Sequence, residues 1–101
     1  MKYNTLMRAS AIGNLKAVKN LISKREDVNK REPRGSTALM FAAGSGHLDI
    51  VKFLISKGAD TSAVEEGGWN AYKHALDNED LSMIDLLKPW FAIILLCLRL
   101  F

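Results

Sequence analysis

Apolar residues recur along the chain at helical spacing, in short segments separated by polar turns. In the clearest segment they stand at positions i, i+3, i+6 and i+7, which are Leu48, Val51, Leu54 and Ile55. This spacing lines up one face of an amphipathic helix. Gly58 follows and predicts the end of this helix, because glycine readily takes the left-handed conformation found just past a helix terminus.

A shorter helix is predicted over residues 38–43, just before the longer one. Thr37 is a suitable N-cap because its hydroxyl can accept a hydrogen bond from a free amide of the first turn. The run Gly44-Ser45-Gly46 stops the helix and predicts a tight turn into the next one. Residues 27–35 and 60–68 are rich in charge, glycine and proline without periodicity, so they predict long turns or hairpin fingers.

The same pattern repeats at an offset of 33 residues. Twelve residues between positions 6 and 27 are identical to those 33 positions later. A further step of 33 aligns Gly35 and Leu54 with Gly68 and Leu87, although this third copy is weaker. A period of this length indicates stacked units that cannot bury their apolar faces alone. We therefore predict one all-α domain of stacked helix–turn–helix units.

The second copy carries the most specific motifs of the chain. They are Thr37-Ala38-Leu39-Met40, then Gly46-His47-Leu48, then Val51 and Leu54 three residues apart, and finally Gly58-Ala59-Asp60. Together these motifs resemble a complete ankyrin repeat, with Ala38 and Met40 in place of the usual Pro and His. The resemblance reaches to about residue 88 and implies an ankyrin-repeat solenoid with finger loops.

The resemblance implies repeats at 3–34, 35–67 and 68–88, followed by an apolar tail at 89–101. In the third repeat Glu79 stands where the second has Gly46, which disfavours the tight turn between the helices. His47 lies in the Gly-His-Leu motif, where the family uses the imidazole structurally, to bond the backbone of the turn.

The charges are distributed unevenly along the chain. The net charge is +3, but residues 1–57 hold 11 basic and 4 acidic side chains, and residues 58–101 hold 3 basic and 7 acidic ones. Nucleic-acid binding through the basic N-terminal half is therefore an alternative function. The basic cluster consists of Lys24, Arg25, Lys30, Arg31 and Arg34. Acidic residues interrupt it and no aromatic lies within it to stack on bases, which favours a solvated turn.

Chemistry-bearing residues are too few for an enzyme to be predicted. The histidines are His47 and His74 and the only cysteine is Cys97, and no arrangement of nucleophile, base and orienting group follows from them. Their spacing matches no metal-binding pattern, and we predict neither a metal nor another cofactor. One cysteine cannot close an internal disulfide, and no signal peptide follows Met1, so we expect a cytoplasmic location.

The function that the resemblance implies is binding of another protein, in the manner of an adaptor or scaffold, through the concave face and the finger loops. The variable position of each first helix holds Arg8, Phe41 or His74, and Ile12, Ser45 and Asn78 lie one turn further on. The finger residues beside them are Arg31, Arg34, Ser36, Glu66 and Trp69. Because Leu39 and Ala42 belong to the core, we expect Phe41 to point away from it. The identity of the partner does not follow, and the chain could also be a truncated remnant of a longer ankyrin-repeat protein.

Residues 90–101 are apolar except for Arg99. Pro89 lacks an amide hydrogen and predicts that the preceding helix ends near Leu87. Twelve helical residues span about 18 Å, less than the roughly 30 Å of a bilayer core, so a transmembrane anchor is disfavoured. A helix in the membrane interface usually has a charged face, which a segment with Arg99 as its only charge lacks. We therefore favour a cap packed over the end of the stack, and a non-native ending after truncation fits either alternative.

Overall fold

The computed structural model describes residues 5–87. Over this range the chain forms helices and no strand. The helices are α1 (Thr5–Ile12), α2 (Leu15–Ser23), α3 (Ala38–Gly44), α4 (Leu48–Ser56), α5 (Ala71–Asp77) and α6 (Leu81–Leu87). The predicted all-α stack of helix pairs is thereby confirmed. The predicted apolar tail at 89–101, including the cap proposed at 90–101, lies outside the described residues, as do the residues that follow the predicted helix end near Leu87.

The helix pairs stack in two layers. Helices α1, α3 and α5 pack side by side in one layer, and α2, α4 and α6 form the second, less closely packed layer. Alanines at the same position of each repeat, Ala9, Ala42 and Ala75, are all buried between the helices of the first layer. Their small side chains let these backbones approach closely. No helix within residues 5–87 has the length and apolar character needed to cross a membrane.

Side-chain caps fix where the first helices begin. The Thr37 hydroxyl accepts a hydrogen bond from the Met40 amide at 3.4 Å, and the Asn70 side chain accepts one from the Lys73 amide at 2.8 Å. The predicted N-cap at Thr37 is confirmed, and α3 extends one residue beyond its predicted end. The predicted left-handed residue after α4 is also observed, since Gly58 has φ +89°.

The buried face of α4 is wider than its spacing predicts. Val51 and Leu54 are fully buried as expected, but so is Ile50, while Leu48 and Ile55 are only half-buried. The cause is that α4 contacts α3 of its own pair and also α2 and α6 of the neighbouring pairs. A helix inside such a stack is covered on more than one side.

The turn between α5 and α6 forms despite Glu79, so the expectation that Glu79 disfavours this turn is wrong. Glu79 itself takes the left-handed conformation, with φ +55°. The turn then closes because the amide of Asp80 donates to the carbonyl of Ala75 at 3.3 Å, just as the His47 amide donates to Ala42 in the preceding pair. The backbone of Glu79 is therefore strained, because a residue with a side chain is disfavoured at positive φ.

Glu79→Gly should raise the free energy of unfolding by about 1 kcal/mol. A non-glycine residue in the left-handed region costs about 1–2 kcal/mol, and the greater freedom of glycine in the unfolded chain offsets part of the gain. Urea unfolding followed by circular dichroism measures the change. The matched control is Gly46→Glu, at the equivalent position, where φ is +78° and no atom lies within 4 Å of the place that a Cβ would take. This control should lose a similar amount. A less stable Glu79→Gly chain would show that the Glu79 side chain itself holds the turn.

Both fingers end in hairpin turns, the second of the two predicted alternatives. In the first, the Gly35 amide donates to the Glu32 carbonyl at 2.7 Å, and the Glu32 amide donates to the Ser36 carbonyl at 3.0 Å. In the second finger the same two bonds join Glu65 to Gly68 and Trp69, at 2.9 and 2.8 Å. The fingers therefore enter α3 and α5 in the same way, one repeat apart.

Candidate interaction surface

Phe41 lies between two clefts on the exposed side of α1, α3 and α5, which we call the inner-helix surface. The α1–α3 cleft, of about 220 Å³, is lined by Met7, Arg8, Ala11 and Phe41. The α3–α5 cleft, of about 230 Å³, is lined by Ser36, Met40, Phe41, Gly44, Ser45, Glu65 and His74. Phe41 is half-buried and also packs against the core, so the expectation that it points away from the core holds only in part.

A carboxylate lies at the centre of the α3–α5 cleft. Glu65 Oε1 accepts a hydrogen bond from Nε2 of His74 at 2.9 Å, and its Oε2 accepts one from the Ser36 hydroxyl. The Trp69 ring lies against the His74 ring, with centroids 5.0 Å apart. The side chains of His74 and Glu65 are only 25% and 18% exposed. The second finger and α5 are thus joined by a polar network that is largely withdrawn from solvent.

Glu65 is a residue of this surface that the sequence reasoning missed. Its equivalent one repeat earlier is Glu32, which is buried and accepts a hydrogen bond from the Ser36 amide at 2.9 Å. The signal was the 33-residue offset, which aligns the two glutamates. Glu32 bonds the residue that precedes the α3 N-cap, whereas Glu65 joins the second finger to Ser36 and to α5.

Ser36, one of the predicted contact residues, lines the α3–α5 cleft but is largely withdrawn from solvent. Ser36 is only 8% exposed. Its amide is bonded to Glu32 and its hydroxyl donates to Glu65, so its polar groups are used to hold successive fingers together.

Other predicted residues also make bonds between repeats. The Asn78 amide nitrogen donates to the carbonyls of Gly44 at 2.6 Å and Ala43 at 3.3 Å. These carbonyls belong to the last turn of α3, so the bonds join the end of α3 to the end of α5. Trp69 is half-buried, and the Lys73 ammonium lies 4.8 Å from the centroid of its ring. The α5 side of the predicted surface is therefore largely committed to internal contacts.

The α1 side of the surface is more accessible. Arg8 is exposed in the α1–α3 cleft, and Ser45 is exposed at the end of α3. Ile12 is 74% exposed but lines neither cleft. Of the predicted residues, the structure brings Arg8 and Phe41 together in one cleft, and Ser36, Phe41, Ser45 and His74 in the other.

The finger residues form a second edge of this surface. The Arg31 guanidinium donates to the Val64 carbonyl at 2.9 Å, and the Glu66 amide donates to the Arg34 carbonyl at 2.7 Å. Asn29 adds a third link, since its side chain accepts a hydrogen bond from the Asp60 amide at 2.7 Å. The two fingers are therefore joined along their length, with the side chains of Arg34 and Glu66 exposed.

Asp60, at the start of the second finger, accepts two hydrogen bonds from Ser62. Its Oδ1 accepts hydrogen bonds from the Ser62 hydroxyl at 2.6 Å and the Ser62 amide at 2.9 Å. These bonds to the charged form, helped by the more distant charge of Arg31, hold the pKa of Asp60 below its usual value. The carboxylate thus anchors the first residues of the finger.

His47 bonds backbone as expected, but in a different repeat. Its Nε2 lies 3.1 Å from the carbonyl of Ala11, in the last turn of α1. A carbonyl only accepts, so Nε2 is the protonated nitrogen in this bond. His47 makes no side-chain bond within its own turn, and the expectation that it does is wrong. The imidazole instead ties the second helix pair to the first.

No cluster of three or more His, Cys, Asp or Glu side chains suited to a metal ion occurs within residues 5–87. A family model described as ankyrin repeats, in three copies, matches residues 6–92. No curated protein matches the chain.

Proposed function

The chain belongs to the ankyrin-repeat family, and we propose that it binds a partner protein through the inner-helix surface, with Phe41 at the centre of the contact. Ankyrin repeats are generally protein–protein interaction modules, and the family is generally non-enzymatic. The observation that carries the proposal is an aromatic side chain that lines two adjacent clefts. Half-buried aromatic residues in such positions often dominate the binding energy of an interface.

The chemistry of the α1–α3 cleft supports a specific kind of contact. Three of its four lining residues, Met7, Ala11 and Phe41, are apolar, and Arg8 is its only charged one. An apolar side chain of the partner would bury its surface against Phe41. An acidic group beside that side chain would pair with the Arg8 guanidinium. We therefore propose a partner segment that presents an apolar residue next to an acidic one.

Phe41→Ala should reduce recovery of the partner at least about ten-fold while the chain remains folded. The measurement is affinity capture from the source cells, with partner amounts compared by quantitative mass spectrometry. Phe53→Ala is the matched control: Phe53 is also a half-buried phenylalanine, but it lies on α4, in the other layer. Loss of the partner with Phe41→Ala alone supports the inner-helix surface.

Two results would count against this assignment. Equal recovery with Phe41→Ala and the native chain would place the contact elsewhere. A loss of stability of about 3–5 kcal/mol, typical of a fully buried aromatic, would make Phe41 a core residue, and its effect on binding would then be indirect.

Binding of nucleic acid through the basic N-terminal half is the alternative function. Several of its cations already have internal contacts: the Arg31 guanidinium donates to Val64, and the ammonium groups of Lys19 and Lys57 each lie 5.7 Å from the centroid of the Phe53 ring. These contacts favour the protein partner over the nucleic acid.

We also propose a cytoplasmic location for the protein, and fractionation of the source cells would test it.

Nucleic-acid binding should be undetectable at about 200 mM salt. Affinity that rests on phosphate contacts falls steeply between about 50 and 200 mM salt, because condensed counterions are released on binding. Fluorescence polarisation of labelled single- and double-stranded oligonucleotides of mixed sequence measures this dependence. Tight, sequence-independent binding at the higher salt concentration would favour the alternative function over the protein partner.

A further inference from the structure

The last helix pair exposes apolar side chains whose counterparts in the preceding pair are more deeply buried. Four pairs of residues at the 33-residue offset show the difference: Leu39 and Tyr72, Ala43 and Leu76, Leu48 and Leu81, Val51 and Ile84. In the second repeat Leu39, Ala43 and Val51 are at most 1% exposed and Leu48 is half-buried. In the third repeat Leu76 is 46% and Leu81 78% exposed, and Tyr72 and Ile84 are half-buried.

These four residues of the third repeat form the surface that we call the end face. The equivalent surface of the second repeat is covered because α5 packs on α3 and α6 packs on α4. Within the described residues no further helix pair covers α5 and α6. A solenoid whose end stays in water is expected to carry a polar outer surface there.

The residues at this end of the stack are apolar, whereas an end exposed to water is expected to be polar. At one position the chain has Ser10 in the first repeat, Ala43 in the second and Leu76 in the third. The side chain becomes larger and more apolar towards the end of the stack, although Ser10 and Ala43 are fully buried and Leu76 is not. Such residues indicate a surface that is covered by something else.

We propose that residues 90–101 of this chain cover the end face. The segment follows α6 after only two further residues, Lys88 and Pro89, which is a short enough connection for it to reach the surface. Eleven of its twelve residues carry no charge and nearly all are apolar. Twelve helical residues would extend about 18 Å, enough to cross two adjacent helices whose axes are about 10 Å apart.

The charges near the end face fit this occupant. The end of α5 and the turn that follows it are acidic, with exposed Asp77 and Glu79. The only charge in residues 90–101 is the guanidinium of Arg99, which has the opposite sign. Docking of the segment would bury its apolar residues and would bring no negatively charged side chain to the acidic ones. The positive charge of Arg99 would lie near Asp77 and Glu79.

Leu81→Ser in the full chain is the decisive variant, because Leu81 is the most exposed residue of the end face. If residues 90–101 cover it, this change should lower the melting temperature by about 5 °C or more. The matched control is Ile12→Ser, since Ile12 is 74% exposed at the opposite end of the stack. It should change the melting temperature by less than about 2 °C.

The second arm of the experiment removes the apolar character of the covering segment. In a tail variant with Ile93→Ser, Ile94→Ser, Leu95→Ser and Leu96→Ser, the further change Leu81→Ser should shift the melting temperature by less than about 2 °C. Such non-additivity is expected only if Leu81 and the tail are in contact. Should the tail variant fail to fold, the comparison of Leu81→Ser with Ile12→Ser in the native chain still decides.

Two outcomes overturn the proposal. The first is a Leu81→Ser effect as small as that of Ile12→Ser, or effects of Leu81→Ser and the tail variant that simply add. The second is a melting temperature that rises with protein concentration over a roughly hundred-fold range, because covering by a second copy depends on concentration and covering by the chain's own segment does not.

Discussion

Leu54→Ala should lower the free energy of unfolding by about 2–5 kcal/mol. Leu54 is fully buried in α4, the helix that contacts both neighbouring pairs. Truncation to alanine loses the transfer free energy of the removed methyl groups and leaves a cavity that the surrounding helices fill only in part. The loss is large against the roughly 5–15 kcal/mol that stabilises a typical domain.

Urea unfolding measured by circular dichroism tests this expectation. The midpoint should fall while the dependence of the free energy on urea stays the same, since the surface exposed on unfolding changes little. Lys52→Ala is the matched control, because Lys52 is exposed in the same helix and its loss should change stability by no more than about 0.5 kcal/mol. Equal, small effects of the two changes would mean that α4 is not packed between its neighbours.

Gly13→Ala should cost about 2–4 kcal/mol, although only one methyl group is added. Gly13 has φ +85°, which is strained for any residue with a Cβ, and the new Cβ would lie 2.6 Å from Cε1 of His47. The imidazole would have to move and would lose its hydrogen bond to Ala11, which joins the first two helix pairs. The change therefore acts on the stacking of repeats as well as on the turn.

Gly46→Ala separates these two causes. Gly46 occupies the equivalent turn with φ +78°, but no atom lies within 4 Å of the position that its Cβ would take. We expect Gly46→Ala to cost only about 1 kcal/mol, from the backbone strain alone. If Gly13→Ala is no more harmful than Gly46→Ala in urea unfolding, the contact of Gly13 with His47 does not contribute to stability.

The positions of the helices follow from the sequence because local signals agree with the 33-residue period. The N-cap at Thr37 and the left-handed Gly58 act on their own helices, so each segment taken alone is sufficient to predict them. The same local reasoning fails for Glu79. A glycine is favoured in this turn but not required, since the packing of α6 on α5 holds Glu79 at positive φ.

Contacts between repeats are much harder to predict. The partner of His47 is Ala11, which is 36 positions away, and no spacing within one repeat reveals such a bond. The burial of Ile50 is missed for a related reason, because one apolar stripe does not show that neighbours cover a helix from several sides. Stacking of the pairs, which gives the fold its stability, also determines which side chains are hidden.

The same limitation applies to the interaction surface. The variable position of each first helix lines a cleft, since Arg8, Phe41 and His74 all do so. The sequence does not show that Ser36 and His74 are bonded to Glu65. These three side chains come from the end of one finger, the next finger and the helix that follows it, and only their three-dimensional arrangement brings them together.

Hydrogen exchange with and without the captured partner tests most directly whether the inner-helix surface binds it. We expect the partner to slow amide exchange in α1, in α3 and in the first finger, around Arg8, Phe41 and Arg34. Exchange in α2 and α4, which lie in the other layer, should be unchanged. Protection confined to α2 and α4, with α1 and α3 exchanging as in the free chain, would contradict binding through the inner-helix surface.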